Sequence, residues 1–312
     1  MFVPVLHETY TPYAKSSKGG HMTLALVFSF CCLVCSAVND LFFKFFARKP
    51  RSRGLFVMTV GIVGTVCMAF LPDKFSGNIP MTLFWGSVCG IFSAVGNILL
   101  IESMTYLSAG ICSTIYRLNL ALVVPFSVLF FNEKLSWYQY VGVGLAIMAV
   151  LAFLPSSGNS GGQEKKSKSL ALPMIMIITA SIFRAGLGLS CKGGPLMGAS
   201  TNGINFIIEV YWIVSGLAYY LIKERSKAGC RMDRKLAGYG TLSGVMVAAI
   251  LFFMMKALNS PGGGASIVLT IAQMSFILTF ILSIIILKEK VTMLKIGAII
   301  CGIGAMILLS WR

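Results

Sequence analysis

The chain contains 312 residues, of which 57% are hydrophobic and only 12% are charged, and its formal net charge is +16. A water-soluble domain needs a larger share of polar surface than this composition provides. The basic residues lie mostly in short stretches between apolar runs, as in membrane proteins, and no aromatic and basic platform for nucleic acid is present. We therefore predict a multi-pass protein of the plasma membrane that is embedded in the lipid bilayer and does not bind nucleic acid.

The N-terminal tail, residues 1–21, is polar and contains Pro4 and Pro12. It lacks the basic and then apolar pattern that is typical of a signal peptide. Met22 opens the first apolar run directly, so we hypothesise that the native chain begins at this methionine.

Ten apolar runs follow the tail, and most of them are long enough for a helix that crosses a bilayer. Helices are the expected structure, because a lone strand cannot satisfy its backbone hydrogen bonds in lipid. The predicted fold is therefore an all-α integral membrane protein with ten transmembrane helices. The predicted spans are 23–46, 54–71, 80–105, 108–131, 136–154, 170–191, 203–222, 236–258, 262–287 and 292–311.

A polar linker at residues 155–169 divides the chain into two segments, 22–154 and 170–312, with five runs each. The segments resemble each other, since Glu133 after the fourth run recurs as Glu289 after the ninth. Further residues that recur at the same offset are Ala109 and Ala265, and Thr114 and Thr270. Because each repeat has an odd number of spans, the second must enter the membrane from the opposite side, which predicts two inverted repeats.

Each half ends in a glutamate followed by a glycine-containing run. The residues are Glu133 with Gly142 and Gly144, and Glu289 with Gly297, Gly302 and Gly304. In this pattern the chain resembles the EamA-like ten-helix members of the drug/metabolite transporter superfamily. The resemblance implies that spans one, three, four, six, eight and nine surround a central cavity, and that spans five and ten pack outside it through small residues.

Ionisable residues inside an apolar run cost about 2.5–3.5 kcal/mol at the bilayer centre, so they are the strongest functional signal in this sequence. Arg117 lies in the fourth run and Arg184 in the sixth, and the resemblance implies that both face the cavity. Two guanidinium groups there would bind a carboxylate or phosphate of a substrate. The alternative is that the arginines pair with Asp40, Glu102 or Glu209 and only hold helices together.

Asp40 and Glu102 are the candidate proton-coupling residues, because a carboxylate that gains and loses a proton within the membrane can link transport to a proton gradient. Permanent ion pairing is the alternative for each of them. Polar side chains also occur on the runs that the resemblance assigns to the cavity, and we predict substrate contacts for four: Asn97, Tyr116, Asn119 and Gln273. Hydrogen bonds between helices are the alternative for these four.

The leading functional prediction is a secondary transporter that moves a small polar organic metabolite, such as an amino acid, by alternating access. One alternative is a multidrug/proton antiporter for lipophilic cations, with Asp40 as its unpaired carboxylate. Another is a membrane-embedded lipid-group transferase. We expect no enzyme, no metal site and no cofactor, because the only histidines, His7 and His21, lie in the tail and no hydrolase or nucleotide-binding motif occurs.

Overall fold

The computed structural model describes residues 18–47, 51–103, 106, 112, 115–152, 171–225, 232–287 and 293–311. Every regular element within these ranges is a helix. The tail up to residue 17, the whole linker 155–169 and Glu289 lie outside the described residues, so the predictions made for them stay predictions.

The described helices follow the predicted apolar runs in order. They are α1 (Lys18–Ala47), α2 (Arg53–Ala69), α3 (Ile79–Ser103), α4 (Leu120–Phe131), α5 (Trp137–Ala152), α6 (Ala171–Leu196), α7 (Thr201–Tyr219), α8 (Arg234–Asn259), α9 (Ala265–Gln273), α10 (Ser275–Leu287) and α11 (Met293–Ser310). A π-helical turn, Tyr220–Glu224, continues α7. Helix α1 begins at Lys18, so it reaches back into the predicted tail, and α9 and α10 divide a single predicted run at Met274.

Five helical segments are long and apolar enough to cross a membrane: Leu24–Phe43 within α1, then α3, α6, Thr201–Glu224 and α8. The remaining apolar helices have 10–17 residues. Large apolar side chains such as Phe70, Ile222 and Met293 are exposed on the outside, as expected for surfaces in contact with lipid. The all-helical fold is confirmed, whereas the ten-span arrangement remains a prediction.

Helices α2 and α7 pack against each other through glycines. A Cβ atom at Gly61 would lie 2.6 Å from the backbone nitrogen of Ile213, and one at Gly216 would overlap with the backbone of Met58. Without side chains at these positions, the two backbones approach closely and gain van der Waals contact, which is the main attraction between helices in lipid.

The other extensive helix contacts also join the two halves of the chain: α1 packs on α8, α3 on both α6 and α7, α2 on α8, and α5 on α11. Two buried apolar clusters result. One includes Phe56, Ile204 and Met255, and the other includes Leu120 and Ile271. Since each cluster draws on both halves, the helices form one packed body rather than two separate domains.

Candidate functional site

Arg117 binds groups on both sides of Met274, where the helix of the ninth predicted span is interrupted. Its Nη1 donates hydrogen bonds to the carbonyl oxygen of Gln273 and to Oγ of Ser275, both at 2.8 Å. Its Nη2 forms an ion pair with Oδ2 of Asp40 on α1. The interruption at Met274 leaves a carbonyl group without a helical partner, and the guanidinium satisfies it. Arg117 therefore adopts the pairing that the sequence left open as an alternative to substrate binding.

Asp40 is the more accessible member of this pair, with a side chain that is 34% exposed against 13% for Arg117. Oγ1 of Thr279 on α10 donates a hydrogen bond to its Oδ2 at 3.2 Å. The sequence analysis missed Thr279, although its spacing from Ser275 puts both on one face of a helix. The cluster thus links α1, the turn that contains Arg117, and both parts of the ninth span.

Arg184 lies near the middle of α6 and has different surroundings. Its Cζ atom lies 5.9 Å from the centre of the Tyr116 ring, and Oγ of Ser181 donates a 3.5 Å hydrogen bond to the carbonyl oxygen of Tyr116. Within the described part of the chain, no carboxylate oxygen lies within 4.0 Å of this guanidinium. Arg117 therefore forms the ion pair that was predicted as the alternative to substrate binding. Arg184 forms no such pair with a described residue.

Asn97 and Asn119, two of the predicted substrate-binding residues, lie near Tyr116. Asn97 is near it in the folded structure, and Asn119 follows it in the chain. Nδ2 of Asn97 donates to the carbonyl oxygen of Ser93 on its own helix at 2.7 Å, while a Cβ atom at the preceding Gly96 would lie 3.8 Å from Oη of Tyr116. Asn119 is only 1% exposed, and neither atom of its amide group has a hydrogen-bond partner among the described residues. Such an unpaired amide is costly to bury, so Asn119 is available for a polar partner.

Glu102 belongs to a separate cluster at the end of α3. Its Oε1 accepts a 2.9 Å hydrogen bond from Oη of Tyr219. The same oxygen forms an ion pair with Nζ of Lys223. The Lys223 side chain is 51% exposed. A recess borders this cluster and is lined mainly by apolar residues of α2, α3 and α7. Its volume of about 10 Å³ is far below the roughly 300–1,000 Å³ of substrate pockets, so we do not assign this recess as the site.

Glu209 is fully buried between α7 and α2, and neither of its carboxylate oxygens has a hydrogen-bond partner within the described ranges. It packs against Gly64, where a Cβ atom would overlap with the carboxylate. The predicted pairing of Glu209 with an arginine is therefore absent among the residues described. Asp40 and Glu102 do pair with cations, so the three acidic residues differ in their surroundings.

Comparison with known proteins finds a family similarity in the first part of the chain. Residues 23–154, less than half of the chain, match the EamA-like transporter family. The match confirms the resemblance to the drug/metabolite transporter superfamily and, with the apolar helices, identifies a multi-pass membrane protein.

A solved crystal structure of another protein has the same fold as this chain. The TM-score is 0.70 at 13% sequence identity, and the alignment covers 92% of this chain and 96% of the other. At this identity the similarity concerns the fold alone. No curated protein matches the sequence.

The glutamate of the EamA-like motif has a structural role in this fold. Oε1 of Glu133 accepts a 2.5 Å hydrogen bond from the backbone nitrogen of Ala265, and Oε2 accepts from the backbone nitrogen of Ser266 at 3.1 Å and from its Oγ. Glu133 therefore binds the N-terminus of α9, where a negative charge is favourable. The sequence analysis did not predict this contact, because a contact across the two halves leaves no local signal.

Proposed function

We propose that this protein is a secondary transporter that carries a small polar organic metabolite, such as an amino acid, across the plasma membrane. It works by alternating access between two inverted five-helix repeats, residues 22–154 and 170–312, which are joined by the linker 155–169. Ten transmembrane spans cross the bilayer in this arrangement. The shorter helices complete their crossings with the connecting segments next to them.

The pattern of helix contacts supports the inverted repeats. If the halves are exchanged, so that α1 replaces α6, α2 replaces α7, α3 replaces α8 and α5 replaces α11, each extensive contact finds its counterpart. The α3–α6 contact becomes α8–α1, the α3–α7 contact becomes α8–α2, and the α2–α7 and α5–α11 contacts map onto themselves. Such an exchange symmetry is expected for inverted repeats that enclose a site between them.

The observation that carries the proposal is a pair of interrupted helices. The fourth span is interrupted at residues 118 and 119, and the ninth span is interrupted at Met274. Residue 118 and Met274 are as far apart in the chain as Glu133 and Glu289, so the two interruptions are at equivalent positions of the repeats. Discontinuous helices near the middle of the membrane form the substrate sites of many secondary transporters. Arg117 stabilises one interruption, and Arg184 lies beside the other.

We assign the substrate site to Arg184, Tyr116, Asn97 and Asn119, with Arg117 and Gln273 holding the interrupted helices in place. Asp40 is the candidate proton carrier, because its partly exposed carboxylate can exchange a proton with the site and thereby loosen its ion pair with Arg117. The same ion pair argues against Asp40 as the unpaired carboxylate that a multidrug/proton antiporter for lipophilic cations would need.

Flux from liposomes tests the proposal. The purified full chain is reconstituted into vesicles that are loaded with a defined mixture of amino acids, small carboxylic acids and sugar phosphates, and efflux is followed by mass spectrometry with and without a pH gradient. We expect at least one solute to leave faster than from protein-free vesicles, at a rate that saturates with its concentration.

Gly144→Ala is the matched control, because a Cβ atom at this position meets no other atom within 4 Å. This variant should keep the flux of the unmodified protein. Folded protein that accelerates the efflux of no solute in the mixture would contradict the proposed function.

A further inference from the structure

Among the described residues, no acidic side chain supplies a counter-charge to Arg184, which lies deep in its span. Of the ten acidic residues, Glu8, Glu164 and Glu289 lie in the tail, the linker and the short connection before the tenth run. The other seven lie in the described part of the chain: Asp40, Asp73, Glu102, Glu133, Glu209, Glu224 and Asp233. None of these seven forms an ion pair with Arg184.

Four of the seven are engaged by other groups within hydrogen-bonding distance. Asp40 pairs with Arg117 and Glu102 with Lys223, while Glu133 binds the N-terminus of α9. Glu224 does the same at the N-terminus of α2, where it accepts hydrogen bonds from the backbone nitrogens of Arg53 and Gly54, both at 3.0 Å. These four carboxylates are therefore engaged by groups other than Arg184.

The remaining three acidic residues also lie elsewhere. Asp73 lies in the connection between α2 and α3, and Asp233 precedes the first residue of α8. Glu209 is buried against Gly64 at the α2–α7 contact. The charge of Arg184 is thus not neutralised by any acidic residue described in the structure.

The position of Arg184 makes this lack of a partner costly. It lies near the middle of α6, a helix that is long enough to cross the membrane, and its side chain is only partly exposed. Its Cζ atom lies 5.9 Å from the centre of the Tyr116 ring, which does not neutralise a positive charge. An arginine retained at such a position needs an anion to bind or a water-filled space to face.

We propose that Arg184 binds an anionic group of the transported solute, a carboxylate or a phosphate, with Tyr116 beside it. The proposal rests on the transport function proposed above and narrows its substrate class to anions. The guanidinium offers paired N–H donors that match either oxyanion. Arg117 is not the binding group, because Asp40 already balances its charge and three of its five N–H donors bind Asp40, Ser275 and the Gln273 carbonyl group.

Chemical modification of arginine in the full-length protein tests this assignment. Purified protein in detergent is treated with phenylglyoxal, and modification of Arg184 and Arg117 is followed by peptide mass spectrometry. Arg117, which is paired with Asp40 and hydrogen-bonded to Ser275 and Gln273, is the internal reference and should react more slowly. The protecting compounds are inorganic phosphate, glycerol 3-phosphate, lactate and aspartate, with uncharged glycerol and cationic ethanolamine as matched controls.

We expect an anion to protect Arg184 selectively. At ten times its dissociation constant, a bound anion should slow the modification about tenfold, because only the unoccupied fraction reacts. Protection by the two phosphates alone would assign a phosphate substrate, and protection by lactate or aspartate alone would assign a carboxylate. Glycerol and ethanolamine should leave the rate unchanged.

Two results would overturn the inference, and they have different meanings. If Arg184 in folded protein reacts readily but none of the four anions protects it, the anion assignment is wrong while transport of another solute class stays open to the flux assay. If Arg184 does not react at all, water does not reach it, and both the anion assignment and the proposed transport site fail. The variant Arg184→Gln should lose the thermal stabilisation that the protecting anion gives to the unmodified protein.

Discussion

Arg117 and Arg184 occupy comparable depths in apolar parts of the sequence, yet their surroundings differ. Arg117 has a carboxylate, a hydroxyl group and a backbone carbonyl as partners, whereas Arg184 has the ring of Tyr116 and no carboxylate within the described residues. The depth of a charged residue in a membrane span thus shows that the residue needs a partner. It does not show whether that partner is a group of the protein or a ligand. Arg117 binds groups of the fold itself, and we propose that Arg184 binds a ligand.

Replacement of Arg117 should give the largest loss of stability. Arg117→Ala leaves Asp40 and the Gln273 carbonyl group without their partner, and breaking a buried ion pair on one side costs about 3–5 kcal/mol. We expect the lower end of this range, because the Asp40 side chain is 34% exposed. Equilibrium unfolding of the purified protein in detergent measures the change.

The double variant Arg117→Ala with Asp40→Ala separates the ion pair from general packing. Because the second substitution removes the unpaired charge, it should cost much less in the Arg117→Ala background than in the unmodified protein. Gly144→Ala is the control for substitutions within a helix. Additive losses in the double variant would mean that the pair contributes little, and the contrast between the two arginines would then disappear.

Asp40→Asn should have an intermediate effect. Asparagine keeps an oxygen that accepts hydrogen bonds from Arg117 and Thr279 but loses the charge, so we expect about 1–2 kcal/mol of destabilisation. If Asp40 carries the coupled proton, this variant should still exchange solute across the membrane but no longer accumulate it against a gradient when a pH difference is imposed. Accumulation equal to that of the unmodified protein would remove Asp40 from coupling.

The helical fold could be predicted from the sequence, because long apolar runs are a local signal. The charged residues that need partners, such as Arg117 and Asp40, were predicted for the same reason. Their partners could not be assigned, since Asp40, Arg117 and Ser275 are far apart in the chain and meet only when α1 and α10 pack together. The turn at Met274 was also missed, because Gln273, Met274 and Ser275 carry no proline or glycine to indicate an interruption.

Arg184→Gln should have the smallest effect on stability and yet remove function. No carboxylate in the described structure loses a partner when this charge is removed, and an uncompensated charge within the membrane is itself unfavourable. We therefore expect the free energy of unfolding to change by no more than about 0.5 kcal/mol, or to rise. Saturable flux should fall to the level of protein-free vesicles, and Arg184→Lys should recover part of it, because lysine restores the charge but not the paired donors. A destabilisation as large as that of Arg117→Ala would instead mean that Arg184 holds the fold together through residues outside the described ranges. The two arginines would then be alike, and the substrate would not need to be an anion.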